Sequence, residues 1–208
     1  NTPEEMLLMA RAEDLNVSNF LVSNSLGDGL FDLEYFEGRP HASSTNRHIL
    51  YWNQEFRSPL YGHLTLLNLK SLIAPSNTGY DLTSNPYDYP ANALIADRTH
   101  AQGGLVIQAH PAYFENDFAS LINPAARELA VDVALGKIDA VEILSYASSA
   151  DRSRDLWYRI LNCGYRIPAV AGTDSFMNFV REPFCHNPPG SNRVYVQVPG
   201  SLNYAAWI

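Results

Sequence analysis

The chain has 208 residues, 46% of them hydrophobic and 17% charged, a balance that supports a folded domain with a sizeable core and excludes an intrinsically disordered chain. Its 14 Lys and Arg against 22 Asp and Glu give a net charge of −8, and no basic cluster interrupts the sequence, which argues against a nucleic-acid partner. No apolar run reaches the ~18 residues of a membrane span, and the two cysteines, Cys163 and Cys185, are too few for a disulfide framework or a CxxC metal knuckle.

The first predicted element is a helix over residues 3–15, with Asn1 or Thr2 as N-cap, Pro3 at the first helical position and Glu4 and Glu5 in the first turn. A strand follows over 17–22, and HILYWNQEF at 48–56 reads as the next one. Residues 91–102 predict a helix closed by Gly103 and Gly104, leading into a strand at LVIQAH, 105–110. A helix over 124–135, with Pro124 at its start and Gly136 past its end, leads into a strand at 139–144. The rhythm recurs as a helix over 151–163, Gly164 as its stop, and a strand over 167–171 that runs into Gly172-Thr173-Asp174. The closing LNYAAWI, 202–208, reads as the opening turns of a helix. A start on a helix cap and a finish inside a helix predict a single domain, 1–208, truncated at both ends. The alternation predicts an α/β domain with a mostly parallel sheet, open or closed into a barrel. Segments 23–47 and 57–90 break it and read as insertions, the second rich in Asn, Pro, Ser and Tyr.

Parallel α/β architectures place their sites at the carboxyl ends of the strands. Standing there are Asn24, Glu55 with His63 shortly after it, His110 at the end of GGLVIQAHP, Glu142 or Ser145, and Asp174. Two histidines and two carboxylates, Glu55, His63, His110 and Asp174, make a hard-to-borderline donor set suited to Zn, Mn or Fe, which would activate water. Each residue also has a structural use. Glu55 could pair with Arg57 or Arg47, His63 could cap a helix over 64–72, and Asp174 could cap the segment that follows it. His100 is expected on the solvent side of its helix, and His41, His48 and His186 sit in or beside loops without partner spacing.

The segments TPEEMLLMARAEDLNV, EFRSPLYGHLTLLNLKSLI, GGLVIQAHP, DAVEIL, WYRILNCGYRIPAVAGTDSF and NRVYVQV, in this order, resemble the CehA/McbA family of metallohydrolases within the PHP (polymerase and histidinol phosphatase) superfamily, over nearly the whole chain. The resemblance implies a distorted TIM-like (β/α)7 barrel with divalent metals at the carboxyl ends of its strands. It implies hydrolysis of a phosphoester, carbamate or related ester or amide bond by metal-activated water. Family ligand positions fall on Glu55, His63, His110 and Asp174, with Asp174 also able to move a proton, and a recurrent family arginine falls on Arg193, where it could face an anionic group of a small-molecule substrate. A surface arginine opening a strand is the alternative for Arg193.

The sequence departs from the superfamily pattern in three places. The His-x-His strand expected before the first helix is missing, Ser23-Asn24-Ser25 stands where an Asp-His pair is common, and Asp174-Ser175-Phe176 stands where Asp-x-His is common. One or two metal ions are therefore expected rather than three. A barrel without its first strand would leave an edge open to self-association. The compartment is left open, with periplasmic or extracellular preferred to cytoplasmic. The alternative function is a non-catalytic barrel that binds carbohydrate or peptide through Tyr80, Tyr87, Tyr89 and Tyr113.

Overall fold

Thr2 and Glu5 close a capping box at the start of the chain: Thr2 Oγ1 accepts from Glu5 N at 3.3 Å, and Glu5 Oε2 accepts from Thr2 N at 2.7 Å. Helix α1 (Pro3–Ala12) follows, and it stops short of residue 15 because Asp14 takes a left-handed φ of 52°. The structure is a computed structural model that describes residues 2–24, 27–112, 126–146, 149–175 and 188–208. Among these residues the remaining elements are β1 (Val17–Asn24), β2 (Leu30–Phe31), a 3-10 turn (Leu33–Tyr35), β3 (Ile49–Phe56), β4 (Leu64–Leu67), α2 (Asn92–His100), β5 (Leu105–Gln108), α3 (Leu129–Ala134), β6 (Ala140–Leu144), α4 (Ala150–Asn162), β7 (Ala169–Ala171) and α5 (Tyr204–Trp207). The expected helix over 124–135 is observed from Leu129, and Pro124 lies outside the described residues.

The seven strands form one sheet in the order β2-β1-β3-β4-β5-β6-β7. Strands β1 and β3, β5 and β6, and β6 and β7 pair in parallel, while β4 runs antiparallel to both its neighbours and β2 antiparallel to β1. The expected barrel is thus corrected to an open, mixed sheet among the described residues: β2 and β7 stand at its two ends and do not pair with each other. Segment 57–90 is also more than an insertion, because it supplies the central strand β4. The helix that His63 could have capped does not form. Leu64 and Leu66 bury fully on one face of a strand bonded on both sides, which a helix over the same residues could not do.

Alternation along the strands divides the sheet into two faces. On one, Phe56, Leu64, Leu66, Val106 and Val141 pack against Ile95 and Ala96 of α2, Leu129 and Val133 of α3, and Leu156 and Ile160 of α4. Beside them Met6 and Ala10 of α1 cover Val22, Leu50 and Trp52. Each such side chain fully withdrawn from water contributes roughly 1.5–3 kcal/mol. Gln54, in the middle of this apolar face, is satisfied by the backbone of Ile73: its Nε2 donates to Ile73 O at 2.9 Å and its Oε1 accepts from Ile73 N at 2.7 Å. That pair ties segment 57–90 to β3.

On the other face α5 lays Tyr204 onto Tyr51, ring centroids 4.3 Å apart, with Leu202, Trp207 and Ile208 around them. A cavity of about 890 Å³ continues along this face past Leu67, Ile107, Ala140 and Val170 and reaches Glu55, His110, Glu142 and Asp174. Among the described residues no helix is long and apolar enough to cross a membrane.

Candidate metal centre

Antiparallel pairing of β3 and β4 puts Glu55 opposite Thr65 and Phe56 opposite Leu64, so the start of β4 lies beside the end of β3. The pairing of Leu64 with Gln108 then brings His110, two residues beyond β5, to the same place. Glu55, His63 and His110 each offer a ligand atom within 4.8 Å of those of the other two. Glu55 Oε1 is 3.0 Å from His63 Nδ1 and 3.6 Å from His110 Nε2, and the two buried imidazoles meet edge to face at 4.9 Å. Ligands held tetrahedrally at about 2.1 Å from a zinc-like ion stand about 3.4 Å apart. One carboxylate oxygen and two imidazole nitrogens at these separations fit a divalent transition metal.

Backbone and buried amides hold this trio. The His63 carbonyl accepts from Gln108 Nε2 at 2.8 Å and from Ala109 N at 3.1 Å. Asn92 Nδ2 donates to Gly62 O at 3.2 Å, while Asn92 N donates to Glu128 Oε2 at 2.9 Å, so the N-terminus of α2 grips the turn before His63. His110 N donates to Glu142 Oε2 at 2.8 Å. A Cβ on Gly172 would lie 2.2 Å from Glu142 Oε1, so the glycine leaves that carboxylate room beside the end of β7. The second oxygen of Glu55 accepts from Ser23 Oγ at 2.8 Å and lies 3.9 Å from Arg57 Nε. On the far side of His63, Nε2 is 3.1 Å from the hydroxyl of Tyr80, whose ring carries the Arg57 guanidinium at 5.8 Å.

Burial alone would raise the Glu55 carboxyl, but the charge of His63, hydrogen bonds from His110 and His63, and Arg57 hold it well below its ordinary range. Burial pushes His63 down against the pull of Glu55. His110 goes the other way: burial opposes its charge, yet Glu55, Asp174 and Glu142 together raise it to about 9. Burial lifts Glu142 to about 7 despite His110, and lifts Asp174 as well, with His110 pulling back. Burial and partners thus favour the anion at Glu55 and the cation at His110, while burial disfavours charge on His63.

Of the four expected ligands, the structure brings together Glu55, His63 and His110. Asp174 takes a left-handed φ of 50° after β7 and feels the charges of His110 and Glu55, but it stands outside the close trio. Arg193 lines the same cavity, with Nε donating to Gly190 O at 2.6 Å and Nη1 to Glu13 O at 2.8 Å, and it opens no strand. Asn24 is buried and its amide donates to Gly27 O at 2.9 Å, and Ser145 is buried as well. His100, expected in solvent, pairs with Asp139 at 2.9 Å. His48 Nδ1 lies 2.8 Å from Leu15 O, and His41 Nδ1 accepts from Ser43 N at 3.1 Å. Tyr87 and Tyr89 are exposed, Tyr80 is turned into the site, and Tyr113, Cys185 and His186 lie outside the described residues.

Sequence reasoning paired Glu55 with Arg57 but missed Ser23, Asn92, Gln108 and Tyr80 as parts of this centre. Gln108 carried a usable signal, since an amide inside the apolar run LVIQ must find partners when buried. Tyr80 carried none, being one of several tyrosines in a long segment. No protein-family model matches the chain and no curated protein matches it, so the reading of the centre stands on its geometry and chemistry.

Proposed function

We propose that the chain is a metal-dependent hydrolase of the CehA/McbA type, acting on a phosphoester, carbamate or related ester or amide bond. The observation that carries this reading is the convergence of Glu55, His63 and His110 within ligand distance of one another at the end of a large cavity. Glu55, His63 and His110 would hold one or two ions of Zn, Mn or Fe, with Asp174 joining from the end of β7 when its carboxyl turns inward. A bound ion supplies Lewis acidity, polarising the scissile carbonyl or phosphoryl group and making water a better nucleophile.

The protein's own groups do the rest. Asp174, its carboxyl raised by burial, accepts the proton that leaves the attacking water and returns it to the leaving group. Glu142 keeps the His110 backbone in place, and Glu55 is oriented by Ser23. Arg193 lines the cavity and is the cation proposed to meet an anionic end of the substrate. The carbohydrate- or peptide-binding alternative draws on the exposed rings of Tyr87 and Tyr89. A buried carboxylate between two imidazoles favours the hydrolase, since a surface binder has no use for it.

The test is turnover by the metal-loaded chain on a panel of activated phosphoesters, carbamates and esters. Activity should vanish with a chelator and return with Zn or Mn, and Asp174→Asn should reduce kcat far more than it changes KM. No chelator-sensitive turnover, together with retention of a glycan or peptide ligand, would replace the hydrolase with the binding module.

A further inference from the structure

Tyr80 is the group at the centre that neither the ligand set nor the family resemblance explains. Both ring nitrogens of His63 are engaged: Nδ1 faces Glu55 Oε1 at 3.0 Å and Nε2 faces the Tyr80 hydroxyl at 3.1 Å. A neutral imidazole carries one ring proton, so it donates at one nitrogen and accepts at the other. Glu55, as a carboxylate, can only accept. With the ring neutral, its proton therefore belongs on Nδ1, and Tyr80 O–H donates to Nε2.

Both roles would reverse if His63 held a metal through Nδ1, because that nitrogen would give up its proton and the ring proton would stand on Nε2. There it would need an acceptor, as the outward N–H of a ligating histidine generally has. A phenol serves in both states, because its oxygen can donate or accept and only the hydroxyl hydrogen has to rotate. A lysine could only donate and a carboxylate only accept.

We propose that Tyr80 is a positioning residue that holds His63 through this exchange of tautomers and fixes the Nε2–H form that presents Nδ1 to the metal. The proposal rests on reading Glu55, His63 and His110 as ligands. Tyr80 is itself held firmly. Its carbonyl accepts from Thr83 N at 3.0 Å and Thr83 Oγ1 at 2.8 Å, and its ring carries Arg57. Segment 57–90 thus closes over the centre and completes the support of a ligand that it also supplies.

Competition binding of Zn(II) and Co(II) to the full chain tests this with wild type, Tyr80→Phe and His63→Ala. Tyr80→Phe keeps the ring and removes the hydroxyl, and it should weaken affinity by about 10–100-fold, with His63→Ala losing at least as much. Imidazole 15N spectra give the readout that a merely packed ring would not move. In wild type, zinc should transfer the His63 proton from Nδ1 to Nε2 and produce a slowly exchanging, downfield Nε2–H, and that resonance should be absent from zinc-loaded Tyr80→Phe. Equal affinity and an unchanged Nε2–H in Tyr80→Phe would overturn the role of Tyr80 while leaving the ligand assignment intact. Wild type that binds no zinc would overturn both. Should Tyr80→Phe fail to fold, the wild-type spectra decide alone: a ring proton that stays on Nδ1 in the presence of zinc overturns the proposal.

Discussion

Glu55 Oε1 and His63 Nδ1 stand 3.0 Å apart because β4 runs antiparallel to β3. A parallel β4 would have started at the opposite edge of the sheet, a strand's length from Glu55. The inverted strand instead begins where its neighbours end, so a residue that precedes a strand joins residues that follow strands. Four predictions follow from this arrangement and the packing behind it.

Metal content should depend on the trio. His63→Ala and His110→Ala should each lower the affinity for Zn or Mn by about 10–100-fold or more, read by elemental analysis after dialysis against a weak chelator. Asp174→Asn should lose less, because its carboxyl lies outside the close group. His48→Ala, whose ring nitrogen is bonded to Leu15 O, should bind metal as wild type does. Unchanged metal content in both His63→Ala and His110→Ala would remove the assignment.

Gly172→Ala tests the support of His110. The new methyl carbon would fall 2.2 Å from Glu142 Oε1, so the carboxylate must move, and its bond to His110 N through Oε2 is expected to weaken. Metal affinity should fall by about 10-fold or more, the scale on which second-shell partners act. An unaltered affinity would show that Glu142 does not position the ligand.

Gln54→Leu should cost stability without touching the centre. It strands the N–H and C=O of Ile73 in the core, and each buried group left without a partner costs about 1–3 kcal/mol. Chemical denaturation should show a loss of that order, with proteolysis appearing first in segment 57–90. A variant as stable as wild type would mean that water reaches those groups.

Asp132 predicts a pH effect. It is fully buried in α3, neither carboxyl oxygen has a hydrogen-bond partner among the described residues, and burial with help from Glu128 raises it from 3.8 to about 7. Between those values the folded state keeps a proton that the unfolded chain has released, so this group makes stability fall as pH rises, and the loss is complete above about 7. Asp132→Asn should unfold like wild type near pH 4 and at a higher temperature near pH 8, by about 2–4 °C or more for a chain of this size. The same Tm difference at both pH values would rule out a buried, proton-holding Asp132.

Much of the framework was legible in the sequence because it is local. Helix α1 is announced by Thr2, Pro3 and Glu5, α4 by its apolar period and the glycine at 164, and β3 by its buried run, since caps and periodicity act within a few residues. Glu55 and His110 could be singled out because the ends of parallel strands share one edge of a sheet, a rule that needs no knowledge of strand order. Leu64–Leu67 could not be read in the same way. Four apolar-rich residues are as compatible with a helical turn as with a strand, and only the backbone groups of β3 and β5 on either side decide for the strand.

Strand direction, the open sheet and the partners of His63 were decided by tertiary structure alone. Pairing direction depends on which edges meet after the chain has folded back, and among the described residues the sheet is open, with β2, rather than β7, bonding β1 at Ser23 and Asn24. Asp174 stands outside the trio, in a left-handed conformation after β7 that the sequence GTD permits but does not require. Tyr80 reaches His63 only through the course of a long segment whose residues show no period. Residue type determined which atoms could ligate a metal. The distances among them depend on hydrogen bonds between strands far apart in the chain, and those exist only in the folded molecule.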